Sequence, residues 1–395
     1  MIISYRYPIF PNKEIERKLV EALDTCRWLY NRLLEEMNKA RESGKTLRTY
    51  DTQNLIPLLK TENPNLNKVY SKVLQMVNYT LWSNIKGLSA LKRNGRKVGH
   101  LRFKGKGWYN TLNYNQSGFK LDQDHSILKL SKIGEIKIKL HRTVEGRIKA
   151  VLIKLVGDRW FAVIQVEQEP EPLTPTGNAV GLDLGLKSFV VDSEGNSIEN
   201  PRFAEKSAAR VKNIQRGLSR AQKGSNNRRK LRYKLDKAHQ RINNQRSDFL
   251  HKLSRMYVNK YDVICVEDLD IKGLKEKGCN KGTHRSIHDA SWSKFMFLLS
   301  YKAQSAGRKL IVVDPRNTSQ RCSCCGSIVR KELSDRVHEC PYCGFSSDRD
   351  YNAAVNILSA GMEQPVAPIE SKPLHHVSVM QVLAMKWEAL PFRVG

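Results

Sequence analysis

Two Cys-x-x-Cys pairs, Cys322/Cys325 and Cys340/Cys343, stand close together, and the run Asp348-Arg-Asp-Tyr-Asn-Ala-Ala-Val-Asn-Ile-Leu358 follows the last cysteine almost at once. Four thiolates at this spacing have the number and softness that a closed tetrahedral zinc site takes. The short polar segment between the pairs has too little apolar content for a core of its own, so it is expected to fold around one Zn²⁺. The chain must then leave that metal directly into a helix whose first turn carries Asp350. Cys324, inside the first pair, offers an alternative sulfur, but Cys322 and Cys325 repeat the spacing of the second pair. Cys26, Cys265 and Cys279 read as small buried hydrophobes or free thiols.

Reduced thiols in metal-type spacing fit the cytoplasm, and the opening Met-Ile-Ile-Ser-Tyr-Arg-Tyr-Pro has no signal-peptide character. The chain of 395 residues carries a formal charge of +29 with a pI near 9.8. Such self-repulsion calls for a polyanionic partner. Nucleic acid is expected, with a place at the nucleoid; an anionic membrane is the rival, but no apolar run approaches the ~18 residues of a spanning helix.

Residues 13–41 place Leu19, Leu23, Cys26, Leu29 or Tyr30, Leu33 and Met37 on one helical stripe ending near Ser43-Gly44. A second stripe over 67–93 carries Val73, Leu74, Val77, Leu81, Ile85 and Leu88. From Lys86 to Lys106 there are eight Lys or Arg and no acid, with Phe103 among them and Trp108 and Tyr109 following. A solvated face is the plain reading of such a run; in so basic a chain it also suits phosphate contact. Between about 100 and 170, alternating stretches at 134–140, 148–155 and 160–166 predict antiparallel strands of a small barrel, to which Ile2–Phe10 adds another. The helical unit is then an insertion. Pro170, Pro172 and Pro175 mark a linker before a new domain near Val180.

In Val180-Gly-Leu-Asp183-Leu-Gly an apolar strand carries a carboxylate, followed by a tight turn and a hairpin closed at 193–196. Tyr261-Asp-Val-Ile-Cys-Val-Glu267 repeats the device. A charge on an apolar strand is costly unless paired or metal-bound. With Asp350 these make an Asp, Glu, Asp set drawn from three elements. Phosphodiester cleavage by two metals needs hard cations ~3.5–4 Å apart, and Mg²⁺ takes oxygen ligands, so three carboxylates suffice. That describes a ribonuclease H-like nuclease. Asp348 reads as the helix cap, and Asp268 and Asp270 as facing solvent or standing just behind the metal-holding acids. Residues 205–260 hold 17 Lys or Arg against three acids, with Arg216, Arg220, Lys223, Arg228, Arg229 and Arg232 flanking a break at Gly224-Ser-Asn-Asn. This predicts a helical hairpin that neutralises phosphates.

Gly181-Leu-Asp-Leu-Gly-Leu-Lys187, Arg216-Gly-Leu-Ser-Arg-Ala-Gln-Lys-Gly-Ser-Asn-Asn-Arg228, Arg246-Ser-Asp-Phe-Leu-His-Lys-Leu253, Val266-Glu-Asp-Leu269, Thr318-Ser-Gln-Arg-Cys-Ser-Cys-Cys-Gly326 and Asp350-Tyr-Asn-Ala-Ala-Val-Asn-Ile357 together resemble the TnpB family, the OrfB transposases of insertion sequences. Arg102-Phe-Lys104 is a weaker match. The resemblance implies a multidomain α+β protein. A wedge-like β-barrel (1–10 and 100–172) carries a helical recognition insertion (11–99). A RuvC α/β nuclease domain (180–317 and 347–360) carries a four-cysteine zinc ribbon (318–346), and 361–395 form a flexible tail. It further implies an RNA-guided endonuclease that uses a guide RNA from the transposon end and two catalytic Mg²⁺. Double-stranded target DNA is cut beside a short adjacent motif, and a separate transposase of the same element is a further partner. Asp183, Glu267 and Asp350 match the family's catalytic carboxylates; Arg102 and Lys104 join the hairpin cations as expected nucleic-acid contacts. A non-catalytic RNA-guided regulator is the alternative, against which the intact acids argue. His375-His376 in the tail has no acidic companions, and Val377–Trp387 is expected as a short docking helix.

Overall fold

The structure, a computed structural model, describes residues 1–276, 281–332 and 335–363. The chain divides into two compact units after Gln168. Cys279, His375-His376 and the expected docking helix lie outside the described residues.

The first unit opens with β1 (Ile2–Phe10), followed by three helices, α1 (Lys13–Glu42), α2 (Thr49–Glu62) and α3 (Ser71–Arg93). Six strands follow: β2 (Thr111–Asn115), β3 (Phe119–Asp122), β4 (Ile127–Leu130), β5 (Gly134–Ile138), β6 (Arg147–Val156) and β7 (Arg159–Glu167). They pair antiparallel in the order β2-β6-β7-β1-β5-β4-β3. The two end strands are chain neighbours, and the Tyr114 hydroxyl donates to the Ser131 carbonyl at 3.2 Å, so the sheet nearly closes. The N-terminal strand thus lies in the middle of the sheet, and the helices are inserted between it and the rest. Asn12 caps α1 by accepting from the Ile15 amide, and α1 buries the predicted Leu19, Leu23, Cys26, Leu29, Tyr30 and Leu33. The α2 helix was not legible. Its signal is weak, since the inward Thr52 is polar and Pro57, on the exposed side, lies inside the helix; Thr52 is buried with hydrogen bonds to Asn78 and from Trp82 of α3 (2.8 Å each).

The second unit holds a five-stranded sheet in the order β10-β9-β8-β11-β12. Its strands are β8 (Ala179–Asp183), β9 (Ser188–Asp192), β10 (Ser197–Glu199), β11 (Val263–Glu267) and β12 (Lys309–Val313). β8, β11 and β12 run parallel, β9 is antiparallel to β8, and β10 is antiparallel to β9. Between β10 and β11 lie α4 (Phe203–Arg220) and α5 (Asn226–Lys260); between β11 and β12 lie α6 (Ile271–Glu276), α7 (Lys281–Ala290) and α8 (Trp292–Ser305). The core packs Val180, Leu182, Phe189, Ile264 and Val266 of the sheet against Leu250, Tyr257, Phe295 and Leu299 of α5 and α8. The expected hairpin turn forms around buried Asp192, whose carboxylate accepts from the Glu194 and Asn196 amides. The small sheet β13 (Val337–Glu339) and β14 (Ser346–Asp348) leads into α9 (Arg349–Glu363). Residues 361–363, at the start of the expected tail, are therefore helical.

Candidate active site

Strands β8 and β11 lie side by side with Leu182 opposite Val266, and each ends one residue later on its acid. Asp183 and Glu267 therefore leave the sheet at neighbouring positions on its C-terminal edge. Because side chains alternate across a strand, Asp183 shares a face with Gly181, and Glu267 with Cys265. Helix α9 covers that face closely: a Cβ at Gly181 would meet the Ala354 carbonyl oxygen at 2.1 Å, and one at Gly361 would meet the Cys265 sulfur at 2.3 Å. Asp350 precedes Ala354 by one helical turn, so the start of α9 carries it toward Asp183 at the strand end.

The electrostatics register this meeting. Burial, then the charges of Glu267 and Asp350, push the Asp183 carboxyl up to about 8, while Arg349 pulls it down. Burial also raises Glu267, opposed by a hydrogen bond from the Thr318 hydroxyl. Arg349 Nε donates to Asp350 Oδ1 at 3.3 Å. Asp348 caps α9, its Oδ1 accepting from the Asp350 and Tyr351 amides at 2.8 and 3.2 Å, while Asp268 and Asp270 are exposed. Asp348 thus has other work, and Asp268 and Asp270 lie on the surface.

The four cysteines are gathered more tightly. Their sulfurs all lie within 4.8 Å of one another, the one such group of three or more metal-binding side chains among the described residues. Cys322 and Cys343 are separated by 3.7 Å and Cys325 and Cys340 by 3.6 Å. A tetrahedron with ~2.3 Å Zn–S bonds has edges of about 3.8 Å, so the cage fits zinc. Both halves use one turn: the Gly326 amide donates to the Cys322 carbonyl and the Gly344 amide to the Cys340 carbonyl, each at 2.9 Å. Both glycines have positive φ (78° and 74°), which side chains disfavour. Cys324 is exposed and outside the group.

A protein of Streptomyces pristinaespiralis named "Putative RNA-guided DNA endonuclease" is 32% identical over 368 residues, 91% of this chain and 89% of that protein. The chain belongs to the TnpB family. A second relative, "Putative RNA-guided DNA endonuclease InsQ" of Escherichia coli (strain K12), is 29% identical over 94% of the chain and 97% of that protein. Family patterns described as "Probable transposase", "Cas12f1-like, TNB domain" and "Helix-turn-helix domain" match residues 163–278, 292–357 and 1–46. Residues 1–46 of this TnpB protein form one strand and one long helix, so the last match is one of sequence. A Cas12f1 complex with guide RNA and target DNA aligns over 91% of the chain and 99% of its own at 16% identity and a TM-score of 0.35.

The basic residues of this TnpB chain fall into two groups. Arg102, Arg216, Arg220, Lys223, Arg229 and Arg232 are exposed. Lys104 is held: its ammonium lies 4.3 and 4.8 Å from the ring centres of Tyr30 and Tyr109, and its amide donates to Asn31. Arg228 also works inside the hairpin, donating to the Leu218 and Ala221 carbonyls at the end of α4 (2.5 and 3.0 Å). Thr318, Asn352 and Asn356 received no individual role from the sequence, although all three lie in the motif runs. Side chains that act on distant backbone carry no periodic signal.

Proposed function

We propose that this chain is an RNA-guided DNA endonuclease whose single RuvC-type site, Asp183, Glu267 and Asp350, hydrolyses target DNA beside a short adjacent motif. The observation that carries the reading is the convergence of three carboxylates from β8, β11 and α9. Its partners are a guide RNA from the transposon end and double-stranded DNA, and it serves retention of the element alongside a separately encoded transposase. The curated relatives' names support the same activity. Base pairing by the guide supplies sequence choice. The first unit is assigned as the wedge-like barrel with its recognition helices, and residues 180–317 and 347–360 as the nuclease domain around the zinc ribbon.

The donor set suits Mg²⁺. It offers carboxylate oxygens without thiol or imidazole, and the burial and neighbouring acids that raise Asp183 suit a bound cation. Bound Mg²⁺ supplies a more acidic water and positive charge against the phosphate. The chain's own residues do the holding. Parallel register fixes Asp183 beside Glu267, the close seat of α9 on Gly181 sets Asp350, and Arg349 partners Asp350. The exposed arginines of α4 and α5 are assigned to phosphates. A non-catalytic regulator is not favoured, since the relatives are named endonucleases and all three acids are present.

In the complex with its co-purified RNA, Asp183→Ala, Glu267→Gln and Asp350→Asn should each abolish cutting of a matched plasmid and leave RNA-dependent target binding within about threefold. Sequencing that RNA identifies the guide. Cleavage surviving in a variant removes its residue from the site, and the absence of any discrete RNA overturns the guided mechanism.

A further inference from the structure

The loop that opens the zinc ribbon reaches Glu267. Thr318, 7% exposed, has one hydroxyl proton and two acceptors within reach, Glu267 Oε1 and the Pro315 carbonyl at 3.1 Å. An ionised carboxylate is the stronger acceptor, so the proton goes to Glu267. The backbone from Thr318 onward is clamped by α9. Asn356 Nδ2 donates to the Thr318 and Arg321 carbonyls at 2.8 and 2.7 Å, and Asn352 Nδ2 to the Arg321 carbonyl at 2.8 Å. Asn352 Oδ1 accepts from the Ser323 amide at 2.9 Å. Both asparagines are buried, so these bonds are shielded from water. Cys322 sits between the clamped residues, and Asp350 begins the helix that carries the clamp.

We propose that Thr318 is a positioning residue for Glu267. The Asn352–Asn356 clamp makes the seat of the zinc ribbon, the Thr318 hydroxyl and the orientation of Glu267 one hydrogen-bonded unit. The inference rests on the nuclease reading above. It gives the ribbon a task toward the reaction: its first knuckle is anchored on the helix of the third acid and steadies the side chain of the second. Hydrogen bonds that orient a metal-holding carboxylate are typically worth 10- to 100-fold in metal affinity or activity.

The test compares Thr318→Val, Thr318→Ala and Thr318→Ser with wild type and Glu267→Gln. Four quantities are measured: zinc content, melting temperature, single-turnover cutting by the RNA complex, and Mn²⁺ binding by spin resonance on the full chain freed of RNA. Binding absent from Glu267→Gln defines the site. With zinc and melting unchanged, the Val and Ala variants should lose 10- to 100-fold in both cutting and site-specific Mn²⁺ affinity, and Thr318→Ser should restore both to within about threefold. Wild-type cutting and Mn²⁺ binding in the Val and Ala variants, or Ser no better than Val, overturns the positioning role alone. Loss of zinc in both Val and Ala also overturns it, making Thr318 a folding residue. Wild-type cutting and Mn²⁺ binding by Glu267→Gln removes the nuclease assignment and the positioning role together.

Discussion

Asp183 bears the electrostatic cost of the candidate site. Its carboxyl is raised from the usual 3.8 to about 8, chiefly by burial and then by Glu267 and Asp350. Between roughly pH 4 and 8 the folded chain therefore keeps a proton that the unfolded chain has released. The stability from that proton is full at low pH and is lost as pH rises through the folded value. In buffer without added divalent cation, Asp183→Asn should raise the melting temperature by about 4 °C or more at pH 8.5, with no gain at pH 4. Calorimetry at both pH values checks this, and an equal gain at both would mean that the repulsion is not what Asn relieves. The acid itself was legible, because a charge ending an apolar strand demands a reason. Its titration was not, since every charge that acts on it beside burial sits on a side chain distant in sequence.

Among the elements, α9 and the parallel strands beneath it decide the geometry. Gly181 read from sequence as part of a strand before a tight turn, yet its lack of a side chain lets α9 approach until the Ala354 carbonyl nearly touches the strand. Gly181→Ala should force helix and sheet apart, costing about 2 kcal/mol or more in urea unfolding. Cutting should fall at least tenfold, because Asp350 moves with the helix; an unchanged unfolding midpoint would show that α9 yields without cost. The zinc ribbon was the most legible element, since four thiolates at knuckle spacing have few other uses. Helix α2 was the least legible, its inward face being partly polar and made apolar-compatible only by Asn78 and Trp82 of α3.

For the whole molecule, the charge of +29 is a statement about a polyanion, and the α4–α5 hairpin concentrates it. Helix α4 buries none of its residues, so its arginines are not offset by a packed core. Changing Arg216, Arg220, Lys223, Arg229 and Arg232 to Gln should reduce the slope of log affinity against log salt by about 4, if each neutralises one phosphate. Filter binding between 50 and 200 mM salt reads this directly. A slope that does not change would place the hairpin outside the nucleic-acid interface. Arg228 is left out because it holds the end of α4, and its loss would confuse folding with binding. No helix among the described residues is long and apolar enough to cross a membrane.

The sequence by itself determined the donor chemistry and much of the element pattern: four thiols at knuckle spacing, two acids ending apolar strands and a third opening a helix, a basic hairpin, and the switch from helical to alternating pattern. These are local properties, written within a few residues of each other. The tertiary structure alone decided what meets: that β1 lies inside the first sheet, that Gly181 and Gly361 allow α9 to lie on the strands, that Lys104 and Arg228 are engaged within the protein, and that Thr318 touches Glu267. Arg228 reaches only across its own hairpin turn, but the others depend on a partner far along the chain, and hydrogen bonds or close packing across such distances leave no periodicity in the stretches of sequence they join.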